Sequence, residues 1–339
     1  MTDIPSNSPI RRWPDLDRIG GVLWLPVILA LVALVLIGQP STWATLTIAG
    51  LAMGMMIFLM ASGMSLIFGL MDVLNFGHSA FVTAGAFIGA TVLAWLGFWV
   101  TGTSPVLNLS ALGIAILAAT LFGALAGWFF ERVVIRPVYQ DHLRQILITV
   151  GALIVAEELI LLIWGGAPIP VPRPAALTGS LVIWGVSVEI YRIFAFLLGL
   201  AVYVALYLTL NRTRLGLLIR AGVENREMVE ALGFRIDRLF IMVFMAGSAL
   251  AAMGGAMWAG YQGLITAAVG SELMILVFIV VIIGGLGSVQ GSLLGAILVG
   301  LMANYVAFLV PKMALASNML LMMAILLWRP NGLLPAVKR

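Results

Sequence analysis

Long uncharged apolar runs alternate along this chain with short polar punctuation. Ile19 to Met71 and Val73 to Phe130 hold no Asp, Glu, Lys or Arg at all. A hydrocarbon slab roughly 30 Å thick takes ~20 apolar residues per helical crossing. Divided at their charged residues or Gly/Pro clusters, the runs predict about ten crossings, near 22–38, 45–69, 79–99, 110–130, 146–164, 191–210, 239–261, 273–285, 291–310 and 313–328. The eighth is short for a span. Backbone groups in lipid have no water to bond, and the ten-residue alternation of a membrane barrel is missing. The expected fold class is therefore all-α, a polytopic transmembrane bundle of about 8–10 helices.

Composition agrees: the 339 residues are 63% hydrophobic and 9% charged, with mean hydropathy +1.15. Residues 1–18 read as a polar cytoplasmic tail and 19–339 as a single transmembrane domain. The apolar run after the tail is too long for a cleaved leader, so the first helix is expected to be retained. With the N-terminus inside, the inner connections collect 15 of the 18 basic residues, leaving Arg173, Arg192 and Lys312 outside. That bias predicts both termini and the segment 211–238 on the cytoplasmic side. The pI near 9.8 then reflects topology, and no nucleic-acid partner is expected without a basic groove interleaved with aromatics. The absence of cysteine excludes thiol catalysis, disulfides and thiolate metal sites. Two histidines and scattered acids form no catalytic or metal constellation, so the chain reads as a non-enzyme with no cofactor of its own.

Two glycine-rich breaks stand out. Gly69, Gly77, Gly85 and Gly89 flank the polar stretch Asp72 to Ser79, while Gly284, Gly285, Gly287 and Gly291 crowd the second. Single glycines let helices approach closely in lipid. Three in four residues leave too little side chain to hold a helix, so 284–287 is expected to be an interrupted or re-entrant element beside the permeation path. Polar candidates for that path are Asp72, Asn75, His78, Glu157, Glu158 and Glu272, since a charge within lipid costs ~2.5 kcal/mol or more and turns its helix toward protein or water. Each has a plainer reading. Asp72, Asn75 and His78 also fit helix caps at the cytoplasmic edge, and Glu272 fits the favourable N-terminus of a helix. Glu157 and Glu158, in mid-run, suit either an ammonium group or a protonated interhelical hydrogen bond.

The polar island Asn211 to Arg238 carries six arginines and four acids. Glu224 to Leu232, ENREMVEAL, is a good helix former, and Gly233 is placed to stop it. A short surface helix is expected. Mixed charge suits a protein-docking surface better than a lipid anchor, although a solvated loop gives the same composition. The connection 165–189, stiffened by Pro168, Pro170, Pro172 and Pro174, is either an external docking surface or a spacer. Trp95, Trp99, Trp164, Trp184, Tyr191 and Trp328 fall near span ends, as an interfacial belt would.

Several stretches resemble one family: NRTRLGLLIRAGVENREMVEALGF (211–234), GSALAAMGGAMWAG (247–260), GGLGSVQGSLLGAILVG (284–300), WRPNGLLP (328–335) and LNFGHSAF (74–81). Together with Arg136-Pro137 and LITVG (147–151), they are similar to the inner-membrane permeases of branched-chain amino acid ABC importers, the shorter first type more than the second. The resemblance runs from about 45 to 335. It implies a bacterial inner (plasma) membrane importer with a second permease subunit, two cytosolic ATP-binding cassette subunits holding ATP and magnesium, and an extracytoplasmic solute-binding protein. The island would be the coupling helix: the family's Ala-Gly motif falls on Glu230-Ala231 and Gly233, with Glu224 and Arg226 beside it and Arg220 nearby. A charged pair at 157–158 departs from the family's usual uncharged polar residues. This chain has no phosphate-cradling G-x-x-x-x-G-K-[ST]. A permease for urea, short amides or another small polar solute, or an ATPase-independent transporter or channel, would share the composition.

Overall fold

The computed structural model describes residues 21–71, 73, 75–139, 141–224 and 226–335; the polar tail 1–18 and Asp72 lie outside them. Ten apolar helices are connected in alternating directions: α1 (Leu25–Ile37), α2 (Pro40–Met71), α3 (His78–Trp95), α5 (Pro105–Phe130), α6 (His142–Trp164), α7 (Ile190–Arg212), α10 (Ile236–Gln262), α11 (Val269–Gly284), α12 (Val289–Leu309) and α13 (Ala314–Trp328). Three short helices complete the set: α4 (Gly97–Thr101), α8 (Arg214–Glu224) and α9 (Arg226–Ala231). Eight helices are long and apolar enough to cross a membrane; α11 and the first helix are shorter. A helix is present at each of the ten expected positions.

The bundle has a dense centre and a loose rim. α2, α3 and α10 are the most enclosed spans, with α5 and α12 packed against them, whereas α6, α7 and α13 expose most of their surface. Helices that share lipid as solvent gain little from apolarity alone, so close backbone approach decides which of them pack. Gly63 on α2 meets Gly247 on α10 backbone to backbone, and Gly85 on α3 lies directly on Ala252 of α10. A β-carbon at Gly54 would lie 2.7 Å from the Ala296 carbonyl oxygen of α12. Small hydroxyls add polar ties in the dry interior: Ser65 and Ser292 sit 2.5 Å apart, and the Gly270 N–H at the head of α11 donates to Thr83 Oγ1 at 3.1 Å.

The connections at one face carry the segment 211–238 and the two glycine breaks; this is termed the charged face. The opposite, hairpin face holds β-structure that helical periodicity did not foresee. β1 (Ile169–Pro170) pairs antiparallel with β4 (Leu264–Ile265), and β2 (Ser180–Ile183) pairs with β3 (Val186–Glu189) as a hairpin. Within 165–189 the prolines do interrupt helix, as expected, but the connection is pinned. Arg173 donates to the carbonyls of Gly260 (2.7 Å) and Tyr261 at the end of α10 and lies 3.9 Å from Glu189. Asn108 Nδ2 reaches the carbonyls of Trp99 and Gly102, and its oxygen accepts from the Ala176 N–H. Arg173→Ala is expected to lower the thermal midpoint of the detergent-solubilised protein and increase proteolysis within 165–189. Hydrogen bonds to a charged donor contribute about 1.5–3 kcal/mol, and Arg173→Lys cannot restore the forked geometry.

Candidate functional site

At the charged face the chain leaves α7 at Arg212 and turns into α8. Gly216 makes that turn possible, because a side chain there would meet the Leu210 backbone. α8 is strongly amphipathic, its apolar side resting on the ends of α7 and α2. α9 follows and ends at Gly233, whose φ of +86° is the left-handed stop expected of this glycine. The exit is closed by backbone bonds from Gly233 N–H to Glu230 O (2.9 Å) and from Phe234 N–H to Val229 O (3.2 Å).

The end of this short helix combines one buried residue with an exposed run. Val229 is buried, whereas Glu230, Ala231, Leu232, Gly233 and Phe234 are exposed. Beneath lies an open groove of about 350 Å³ lined by Leu215, Leu218, Phe234, Arg235, Arg238 and Met242. Arg220 is exposed and bonds Asn211 Oδ1 at 3.3 Å. Glu224 ends α8 and Arg226 opens α9; the side chains of 223–227 lie outside the described residues. Apolar projections ringed by both signs of charge form a surface suited to inserting into a protein cleft.

A second tether went unrecognised in the sequence. α5 runs through a π-helical turn, Glu131–Ile135, and the following Arg136 pairs with Asp237 at 3.4 Å, at the head of α10. Tyr139 donates to Glu131 Oε1 (2.8 Å), accepts at its carbonyl from Gln145 (2.9 Å) and sets its ring at a tilt to that of Phe240, the centroids 5.8 Å apart. The only available hint was opposite charge on two connections of the same side.

The residues expected to line the path separate into two groups. Asn75 and His78 are buried where the α2–α3 connection folds back into the bundle; His78 Nε2 lies 2.9 Å from the carbonyl oxygen of Met60, about three turns before the end of α2 at Met71. The Asn75 carboxamide and His78 Nδ1 have no hydrogen-bond partner among the described residues. Asp72 cannot be placed with them. Gly284, Gly285 and Gly287 form a tight turn between α11 and α12 on the charged face, where the sequence had suggested an interrupted or re-entrant element. Gly285 (φ +101°) and Gly287 (φ +77°) need glycine, and Gly69 of α2 abuts Gly287, with 2.9 Å between a β-carbon there and the Gly287 Cα. The 330–335 segment straps this turn shut: Leu333 and Leu334 donate their N–H groups to the Ile283 and Gly284 carbonyls at 2.8 and 2.9 Å.

Glu157 and Glu158 lie apart from that group, on the hairpin-side half of α6. Glu157 accepts a hydrogen bond from the Ser271 hydroxyl of α11. Glu158 is exposed on the outer flank of α6, and Glu272 is exposed in the first turn of α11. No group of three or more potential metal ligands occurs among the described residues.

Ten apolar helices around a glycine-packed centre, with one mixed-charge helix displayed at a single face, define a multi-pass membrane transport subunit. The sequence profile of the branched-chain amino acid transport system permease component family matches residues 46–328, and the chain belongs to that family. It is 28% identical over 297 residues to the high-affinity branched-chain amino acid transport system permease protein BraD of Pseudomonas aeruginosa, covering 84% of this chain and 93% of the relative. To LivH of Escherichia coli K12, a permease protein of the same description, it is 25% identical over 292 residues with the same coverage. A solved chain described as of a metal-chelate type ABC transporter, in an inward-facing conformation, is matched over 92% of this chain and 99% of its own length, at 20% identity and a TM-score of 0.49.

Proposed function

We propose that this chain is the membrane-spanning permease subunit of an ATP-driven importer for branched-chain or related hydrophobic amino acids. It works with a second permease subunit, two cytosolic ATP-binding cassette subunits that hold ATP and magnesium, and an extracytoplasmic solute-binding protein. In this reading the charged face is cytosolic, in the bacterial inner membrane, as the distribution of basic residues supports. One observation carries the proposal: Val229 is buried while Glu230 to Phe234 at the end of α9 are exposed above a largely apolar groove.

The packing supplies a route from that helix to the helices around the path. α9 joins α8, α8 rests on the end of α2, and Gly69 of α2 touches Gly287 in the α11–α12 turn. Cassette closure that pulls α8 and α9 would therefore displace α2 against the strapped turn and the Asn75/His78 break. In this arrangement Arg220, Glu224, Arg226, Glu230, Ala231 and Gly233 couple to the ATPase. Asp72, Asn75, His78, Gly284, Gly285 and Gly287 act as the cytosolic gate, where the unpartnered Asn75 and His78 groups stand ready for partners in another state.

A carboxylate such as Glu158, exposed on a spanning helix, costs ~2.5–3.5 kcal/mol against lipid. The flank bearing it therefore faces the second permease and the shared path, where Glu157 and Glu158 attract the solute's ammonium group. The apolar remainder of the path suits an aliphatic side chain.

The decisive experiment is ATP hydrolysis by the purified assembly in nanodiscs. Leucine, isoleucine or valine delivered by the binding protein is expected to stimulate turnover. Stimulation by urea or short amides alone would replace the solute class, and a chain that transports without retaining any cassette subunit would end the importer reading.

A further inference from the structure

The β2–β3 hairpin turns through Trp184-Gly185, with φ of 55° and 80°. Two left-handed residues between paired strands give the primed turn that suits the strands' own twist, and asparagine or glycine ordinarily takes the first place. A residue with a β-carbon is strained in that conformation. Trp184 is the only non-glycine residue with positive φ among the described residues, and it gains no packing there, being 97% exposed. Leu181, Val182 and Ile183 beside it are 46, 68 and 60% exposed. A large indole held in a strained and uncovered position is a feature that folding of this chain alone does not account for.

We propose that the hairpin tip is a membrane-interface anchor, with Trp184, Val182 and Ile183 seated among the headgroups and upper acyl chains of the leaflet on the hairpin face. Three observations select lipid over a soluble partner. A β-carbon at Gly185 would lie 3.9 Å from the Cβ of Ser41, in the first turn of α2. That places the tip at the α1–α2 corner, where a spanning helix leaves the hydrocarbon. The exposed apolar flank of α1, ending in Val35 (82% exposed) and Leu36, reaches the same corner, so the tip continues a surface that already faces acyl chains. The stretch Pro174 to Val188 contains no charged residue, and the nearest charge, Glu189, is engaged at the hairpin root by Arg192 (3.4 Å) and Arg173. Tryptophan favours the interfacial zone because its ring is apolar and its N–H still reaches water. Trp95 and Phe98 are likewise exposed at the α3–α4 end of the same face.

The absence of cysteine allows a direct test that does not depend on the solute or on ATP coupling. Nitroxide labels on Val182→Cys and Trp184→Cys, in the full chain in phosphatidylethanolamine/phosphatidylglycerol nanodiscs, are expected to collide with oxygen several-fold more than with a water-soluble nickel chelate. A label on Thr178→Cys at the hairpin root should show the reverse. Replacing Trp184 by Ser is expected to raise chelate collisions at the Val182→Cys label. Dominant chelate collisions at 182 and 184 would place the tip in water and overturn the proposal. Shielding from both reagents, or shielding that appears only with the binding protein, would make the tip a protein contact and overturn it equally. A label at 182 indifferent to Trp184→Ser would remove the indole from the anchoring role.

Discussion

Gly233→Val is expected to uncouple transport while leaving the bundle folded. A β-carbon at this position meets nothing within 4 Å, so the effect arises from the backbone and from the displayed surface. At φ +86° an L-residue costs ~1–2 kcal/mol, and relief of that strain rotates Phe234 away from the groove and distorts the Glu230-Ala231 exit. A penalty of this size is about tenfold in a docking equilibrium. Reconstituted vesicles carrying the Val variant should lose at least that much solute-stimulated uptake, while the cassette subunits hydrolyse ATP without responding to ligand. Gly233→Asn, which tolerates the left-handed region, should retain most of the coupling. Parental uptake by the Val variant would refute a docking role for this turn.

Gly63→Leu and Gly85→Leu are each expected to prevent accumulation of folded protein, for a reason unrelated to coupling. Both glycines sit where two backbones touch, Gly63 on Gly247 and Gly85 on Ala252. A side chain there cannot rotate away, so α2 or α3 must separate from α10, the helix that joins the centre together. Overpacking of this kind costs on the order of 3 kcal/mol or more, comparable with the whole margin of many folded chains. Monodisperse yield and thermal midpoint after detergent extraction would report it. Gly113→Ala, on the open flank of α5 with no atom within 4 Å, is the control and should match or slightly exceed the parent. A stable, monodisperse Gly85→Leu protein would show that the α3–α10 contact is looser than drawn.

The two experiments draw on different kinds of information in the chain. The ten apolar helices were legible within a few residues, from Leu25–Ile37 to Ala314–Trp328, because transfer into lipid adds up residue by residue along a window. The stop at Gly233 and the short helix before it were legible for a similar local reason, since helix propensity and the left-handed exit depend on near neighbours. The family's motifs lie in those same stretches.

The remainder depended on partners distant in sequence. Nothing local distinguishes Gly63, locked against Gly247, from Gly113, which touches nothing, and nothing local separates Glu157, bonded to Ser271, from its neighbour Glu158 on an open flank. The strap of 330–335 over Gly284, the Arg136–Asp237 tether and the β2–β3 hairpin likewise arise only once helices lie side by side. By itself the sequence determined that this is a helical membrane protein, where its spans fall, and which segment is displayed at a membrane face. Tertiary structure alone decided which helices form the centre, which glycines are contacts, and which polar groups are buried. Solvation in a bilayer is a property of single segments, whereas packing is a property of pairs, and pairs cannot be read from hydropathy.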